Sequence, residues 1–298
     1  RYNVKSLVHG DDVAMIKLIA SDLDGTMFEK GNVIPETNLK AINDINNSNI
    51  NFTICTGKTY SLFKNICQDI GTGYGIFGNG NQIINLKTGE EIYRKLLKNE
   101  DVLFCINTAK KLNLHVHLYT NKEVITEKLL YMDLRNFELT KNDKNIDLEF
   151  KIVTDIQEYI EKENPEILKL VISAEKDLAS FKKEFAKNKN LQVNLIRKVD
   201  KYRDEIIGKE YEYLDIMPAG INKEQALEVL ENYLKIDKSE VLVIGDNLND
   251  LEMIKDSGVG IAVANAYDEV KEVANYTTTT TAQNGGFAEA VYKFIEFK

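Results

Sequence analysis

The stretch Asp22-Leu23-Asp24-Gly25-Thr26 puts two carboxylates one residue apart, directly after the apolar run Ile16 to Ala20. Side chains alternate along a strand, but at a strand end the chain bends, and both carboxylates can then aim at one centre. Paired carboxylates at the C-terminal end of a buried strand suit metal-assisted chemistry on an anionic substrate. Taken alone, the fragment reads equally well as a polar turn. A calcium loop is excluded. Such a loop takes an acidic or amide ligand, a glycine and a glutamate at positions where this chain has Thr26, Met27 and Val33.

A second acidic cluster, Gly245-Asp246-Asn247-Leu248-Asn249-Asp250, also follows an apolar strand, Glu240–Ile244. With a helix starting near Asn247, Asp246 and Asp250 occupy neighbouring positions of its first turn, where the helix dipole favours negative groups. Capping explains one such aspartate, but not two clusters that each end a buried strand. Four carboxylates gathered at one sheet edge would repel by on the order of 4 kcal/mol per pair at about 4 Å and an effective dielectric near 20. A divalent cation removes that repulsion. Hard oxygen ligands in an incomplete shell suit Mg²⁺, which keeps waters and takes a substrate phosphate as a further ligand.

Two further segments offer phosphate contacts. Thr56-Gly57-Lys58 ends another strand, and a hydroxyl with open backbone N–H groups at such a turn can hold phosphate oxygens. An ordinary strand-to-helix turn reads the same way. Lys223 opens a helix after Pro218-Ala219-Gly220-Ile221-Asn222, against the sense of the dipole, which hints at an anionic partner. A solvated surface lysine is the plainer alternative.

The elements that must position these residues form a strand–helix alternation. Strands are expected at Ile16–Ala20, Asn51–Cys55 and Tyr74–Phe77, with helices from Pro35 to Ile42 and along the stripe Leu62-Phe63-Ile66-Ile70. Units of this length imply right-handed crossovers and a parallel sheet. The rhythm then breaks. A hairpin is expected at Gln82–Asn85 and Glu91–Arg94, then a helix near Val102–Leu112 and a strand at His115–Tyr119. After these come a helix at Asp155–Glu163, a strand at Ile167–Ile172, a helix at Lys176–Lys187, and strands at Leu191–Leu195 and Tyr213–Met217. Residues 85–217 therefore read as an inserted α+β module. The alternation resumes with the helix Lys223–Leu234 and the strand Glu240–Ile244. It continues through a helix at Asp250–Asp256, a strand at Gly260–Val263, a helix at Tyr267–Ala274, a strand at Tyr276–Thr281 and a helix at Phe287–Phe297. The expected organisation is an N-terminal extension (1–15), an α/β core from 16–84 and 218–298, and the module between them.

Composition narrows the class. The chain has 298 residues, 43% apolar, enough for two domains or one large one. Its formal net charge of −9, without a long basic block, argues against a nucleic-acid partner. No apolar run reaches membrane-spanning length. Cys55, Cys67 and Cys105 lack CxxC spacing and read as reduced, buried thiols, which fits a cytoplasmic location. The chain begins at Arg1, so an upstream segment, a targeting peptide included, stays open.

Taken in order, Asp22-Leu23-Asp24-Gly25-Thr26, Thr56-Gly57, Lys223 and Gly245-Asp246-Asn247-Leu248-Asn249-Asp250 resemble the motifs of the haloacid dehalogenase superfamily, specifically the Cof-like phosphatases with a type IIB cap. The resemblance covers about Lys17 to Lys298. Asn79-Gly80 and Asn284-Gly285-Gly286 match more loosely. Lys58 departs from it, since relatives usually carry Arg after Thr-Gly, and a lysine lacks the bidentate fork.

The resemblance implies a Rossmann-like, doubly wound core with the module as a cap that chooses the substrate, and an active site at the strand C-termini beneath that cap. Asp22 would be the nucleophile, forming an aspartyl-phosphate. Asp24 would protonate the leaving alkoxide and then take a proton from water. Mg²⁺ would bind Asp22, the Asp24 backbone carbonyl and Asp246, with Asp250 and Asn249 in support. Thr56, Gly57, Asn249 and Lys223 would contact the phosphate. The activity implied is hydrolysis of small phosphomonoesters, sugar phosphates foremost. A phosphomutase of the same superfamily, or a non-catalytic metabolite-binding regulator, are the alternatives. A regulator would typically lose Asp22 or Asp24, and this chain keeps both.

Other features carry less. Gly73-Tyr74-Gly75-Ile76-Phe77-Gly78 spells a dinucleotide fingerprint, but it contains a strand instead of opening a helix. His115 and His117 share one strand face, and two imidazoles without a further ligand nearby are expected to be packing residues.

Overall fold

Short branched segments, too apolar to face water, form the centre of a parallel sheet. The computed structural model describes residues 15–28, 33–142, 148–176, 178–200 and 206–297. The expected N-terminal extension falls outside them, apart from Met15. The chain divides into two compact units. The first comprises residues 15–58, Ile66–Arg94 and 222–297, and the second Thr59–Asn65 and Lys95–Ile221.

The first unit begins with β1 (Leu18–Ser21), α1 (Glu36–Asn46), β2 (Asn51–Cys55), α2 (Tyr60–Ile70, shared with the second unit), β3 (Tyr74–Phe77), β4 (Gln82–Asn85) and β5 (Glu91–Arg94). The second unit contains α3 (Asn99–Lys111), β6 (His115–Tyr119), β7 (Glu123–Thr126), α4 (Tyr131–Asn142), β8 (Glu149–Ile152) and α5 (Ile156–Glu163). It continues through β9 (Lys169–Ala174), α6 (Ala179–Phe185), β10 (Leu191–Val199) and β11 (Tyr211–Pro218). The first unit then resumes with α7 (Lys223–Leu234), β12 (Val241–Gly245), α8 (Leu251–Asp256), β13 (Val259–Ala262), α9 (Asp268–Val273), β14 (Tyr276–Thr277) and α10 (Gly286–Phe294).

The sheet of the first unit runs in the order β14-β13-β12-β1-β2-β3-β4-β5, parallel from β14 to β3 and antiparallel thereafter. All four β1 residues are buried, so the strand needs apolar or internally bonded side chains on both faces. Order reverses at β1, which has β2 on one side and β12 on the other. That is a topological switch point, where open α/β sheets leave a crevice at the strand C-termini. Register decides what lines it. Ser21 pairs with Ile244 and with Ile54, so Asp22, Asp246 and Thr56 leave three adjacent strands at one sheet edge.

The second unit is a six-stranded sheet in the order β10-β11-β9-β6-β7-β8, antiparallel except for β7 with β8. One face packs against α3, α5 and α6 through Val102, Ile106, Ile156, Ile160, Phe181, Leu118 and Ile172. Tyr119, Val171 and Tyr213 lie on the opposite face, with Tyr131 and Met132 of α4 against them.

The structure departs from the sequence reading at three places. β5, expected within the inserted module from residue 85, pairs with β4 and so joins the first sheet beyond β3, and the main segment of the second unit runs from Lys95 to Ile221. The hairpin's alternation reads alike in either unit; the backbone edge of β3 selects the partner. The strand expected at Tyr276–Thr281 pairs over Tyr276–Thr277 alone, because Thr279 and Thr280 turn away to donate to Glu289. And β7, α4 and β8 arise where no periodicity marked them.

Candidate active site

The turn after β1 depends on Gly25, at φ +92°. A Cβ there would overlap the Asp246 carboxylate, so glycine satisfies both the backbone and the space. Thr26, fully buried, donates from Oγ1 to Asp246 Oδ1 at 2.7 Å. Asn265, beyond β13, donates to the Gly25 carbonyl at 2.7 Å and accepts from Ala282 N at 2.8 Å.

Lys223 is the first residue of α7, whose cap Asn222 accepts from Gln225 N at 2.7 Å. The cap sets the helix start, and the lysine points inward with 1% exposure. Its Nζ donates to Asp22 Oδ1 at 2.5 Å and to Asp250 Oδ1 at 2.6 Å. Asp250 Oδ2 accepts from the backbone N–H groups of Asp246 and Asn247, each at 3.1 Å. Both Asp250 oxygens are thus engaged, and the residue holds its neighbours in place. Asp22 Oδ2 and Asp246 Oδ2 accept no hydrogen bond from another described residue.

Asp22, Asp246 and Asp250 bring one carboxylate oxygen each within 4.8 Å of the others. Burial pushes the Asp22 carboxyl well above its usual range. Lys223 pulls it back, while Asp250 and Asp246 push it up again. Asp246 is pushed up to about 7, by burial first and by Asp250 second. Burial opposes a charged Lys223, but Asp22 and Asp250 outweigh it and hold the ammonium charged. Three buried carboxylates against one ammonium leave a formal excess of two negative charges. A single divalent cation matches that excess, and the all-oxygen donor set fits a hard ion such as Mg²⁺.

Asp24 stands apart from the other three carboxylates. Its side chain is 51% exposed and pairs with Lys58, Nζ to Oδ1 at 2.7 Å. Thr56 is buried and its hydroxyl accepts from Lys58 N at 3.2 Å, while its carbonyl accepts from Asn79 N at 2.9 Å. Gly57 lies against the Asn79 amide, which also accepts from Asn249 Nδ2 at 2.8 Å. Asn79 reaches this position through a left-handed backbone, φ +55°.

A family profile of haloacid dehalogenase-like hydrolases matches residues 19–291. The chain belongs to that family. A putative phosphatase of Streptococcus pyogenes is 27% identical over 94% of this chain and 98% of its own length. The Bacillus subtilis 5-amino-6-(5-phospho-D-ribitylamino)uracil phosphatase YcsE is 28% identical over 94% and 96%. The crystal structure of a haloacid dehalogenase-like hydrolase from Bacteroides thetaiotaomicron superimposes with a TM-score of 0.73 at 25% identity, covering 93% of this chain and 99% of that one.

Within this haloacid dehalogenase-like unit, Asp22, Lys223, Asp246 and Asp250 meet in one cluster, while Thr56, Gly57 and Asn249 converge on Asn79 beside it. Sequence reading gave no role to Thr26 or Asn265. Each follows a buried strand as a polar residue, the signal that singled out Asp22 and Asp246. Gly73–Gly78 frames β3, the strand expected inside that segment.

Proposed function

We propose that this protein is a Mg²⁺-dependent phosphatase of small phosphomonoesters, sugar and polyol phosphates foremost, acting through an aspartyl-phosphate on Asp22. Membership in the haloacid dehalogenase-like hydrolases, with relatives named as phosphatases, makes it a phosphatase. The observation that carries the finer reading is the Lys223 ammonium held between Asp22 and Asp250, with Asp246 alongside. The phosphorylated ribityl group in the name of one relative supports the substrate class.

In this reading the Asp22 carboxylate attacks phosphorus and the ester P–O bond breaks. Asp24 passes its proton to the departing alkoxide. Asp24 then takes a proton from water as the water attacks phosphorus, the bond to Asp22 breaks, and inorganic phosphate leaves. Lys223, Thr56, Gly57 and Asn249 hold the phosphoryl oxygens, and Lys58 orients Asp24. Asp22, Asp246 and the Asp24 carbonyl would hold Mg²⁺, with Asp250 in support, and the ion would supply charge neutralisation at the transferring group. The second unit selects the leaving group.

The test is phosphate release from hexose, pentose, triose and nucleotide monophosphates with Mg²⁺. Turnover is expected on sugar or polyol phosphates, with loss on chelation and recovery on adding Mg²⁺. Asp22→Asn should lower the rate by roughly 10³-fold or more. Release at the parental rate from that variant overturns the proposal.

A further inference from the structure

The second unit holds another group of metal-ligand side chains, which phosphoryl transfer does not use. His115 and His117 occupy alternate positions of β6 and so project from one sheet face. This is the face that carries Tyr119, opposite the one packed by α3, α5 and α6. Asp133, in the first turn of α4, approaches both histidines. Its Oδ1 and Oδ2 lie 3.0 and 3.1 Å from His115 Nε2, and Oδ1 lies 3.8 Å from His117 Nδ1. Leu130 N donates to the same Oδ1 at 3.3 Å.

The His117 side chain is fully buried, as is that of Asp133. Neither ring nitrogen of His117 has a hydrogen-bond partner among the described residues. Buried polar side chains are nearly always partnered, so an imidazole with both nitrogens unpaired beside a buried carboxylate calls for a missing ligand. Of the neighbouring polar groups, Thr126 Oγ1 donates to the Lys128 carbonyl at 2.7 Å and Lys169 pairs with Asp215 Oδ2 at 3.0 Å, while Ser173 Oγ, across the ladder from His115, also has no partner among the described residues.

The spacing fits a small ion. The three ligand atoms lie within 4.8 Å of one another. Tetrahedral zinc at about 2.0–2.1 Å from nitrogen and oxygen spaces its ligand atoms by roughly 3.3 Å, between the 3.0 and 3.8 Å observed here. We propose that His115, His117 and Asp133 form a binding site for a transition-metal dication of the zinc type, which pins α4 to β6. Its nitrogen-rich donor set disfavours Mg²⁺, so the two centres take different ions. His115, with 8% side-chain exposure, is the least buried of the three and marks the entry.

The test uses the full chain, stripped of metal and held in excess Mg²⁺ to occupy the acidic centre. Calorimetric titration with Zn²⁺ should give one equivalent per chain, and Co²⁺ in its place should show visible bands of imidazole ligation. His117→Phe should abolish that equivalent, and Asp133→Asn should weaken it at least about tenfold. Asp246→Asn should retain it. Should His117→Phe fail to fold by circular dichroism, His115→Gln reads the same point, with binding again weakened at least about tenfold. The proposal is overturned by no Zn²⁺ uptake above the Mg²⁺ background, by an all-oxygen Co²⁺ spectrum, or by uptake lost in Asp246→Asn and kept in the histidine variants.

Discussion

Lys223 Nζ donates to Asp22 Oδ1 across 2.5 Å, although the two residues stand 201 positions apart in the chain. The bond is made by α7 entering the sheet edge where β1 ends, and it buries a lysine completely. Removing one member of a buried ion pair leaves the other charges unbalanced, at a cost of about 3–5 kcal/mol. Lys223→Met should lose stability on that scale in urea unfolding. Saturating Mg²⁺ should recover part of the loss, because a cation relieves the same carboxylates. Phosphate release should fall by roughly 10²–10³-fold. Full stability without Mg²⁺ would show that the ammonium does not balance the cluster.

Gly25 sets how closely the β1 turn approaches Asp246. Gly25→Ala meets two penalties, a left-handed backbone at φ +92° and a Cβ driven into the Asp246 carboxylate. The strain amounts to roughly 1–3 kcal/mol, visible as a lower thermal midpoint. The displaced carboxylate should raise the Mg²⁺ concentration for half-maximal activity by roughly tenfold. An unchanged Mg²⁺ dependence with a lowered midpoint would separate backbone strain from ligand placement.

Much of this was legible because the sheet is parallel and buried. Val241–Ile244 is apolar on both faces and Asn51–Cys55 is buried beyond its first residue, so a polar residue just past each stands out. Asp22, Thr56 and Asp246 were found that way. Lys223 was legible as a cation in the wrong place on a helix, and its explanation is the pair of aspartates around it. The α4 region was not legible. Its apolar and polar residues alternate without a clear stripe, since the helix lies on a sheet face that is itself lined by His115, His117 and Lys169. Nothing in the sequence therefore marked Asp133, and the two histidines were read as packing residues for want of a further ligand nearby. Where the chain changes sheets was likewise hidden, because the β4–β5 hairpin carries no mark of which edge it will join.

Lys58 tests how much the departure from Arg matters. It pairs with Asp24 at 2.7 Å, with the two side chains 30% and 51% exposed. Such a pair contributes at most about 1 kcal/mol to stability. Its effect should appear in turnover. Lys58→Ala should slow phosphate release by roughly tenfold or more, a fraction of the 10²–10⁴ that a positioned acid–base group supplies. Lys58→Arg should restore most of it at unchanged thermal midpoint. Equal loss in both variants would mean that the lysine contacts something only an ammonium can satisfy.

Glu231 gives the first unit a pH-dependent weakness away from the active site. It lies on α7 with 5% exposure, and burial pushes its carboxyl up to about 7. Lys238 opposes that shift, but its ammonium is already held by Glu224 at 2.8 Å, and Glu224, Glu228 and Asp237 add to the upward push. The folded state therefore keeps a proton that the unfolded chain releases near the ordinary value of 4.5. Below that value both states are protonated and nothing is lost. Between it and about 7 the folded state binds more protons, so stability falls as pH rises, by a total on the order of 2–3 kcal/mol. Glu231→Gln keeps the shape and removes the titration. Its unfolding free energy should match the parent near pH 4 and exceed it by that amount near pH 8. An equal gain at both pH values would place the effect in packing and not in the charge.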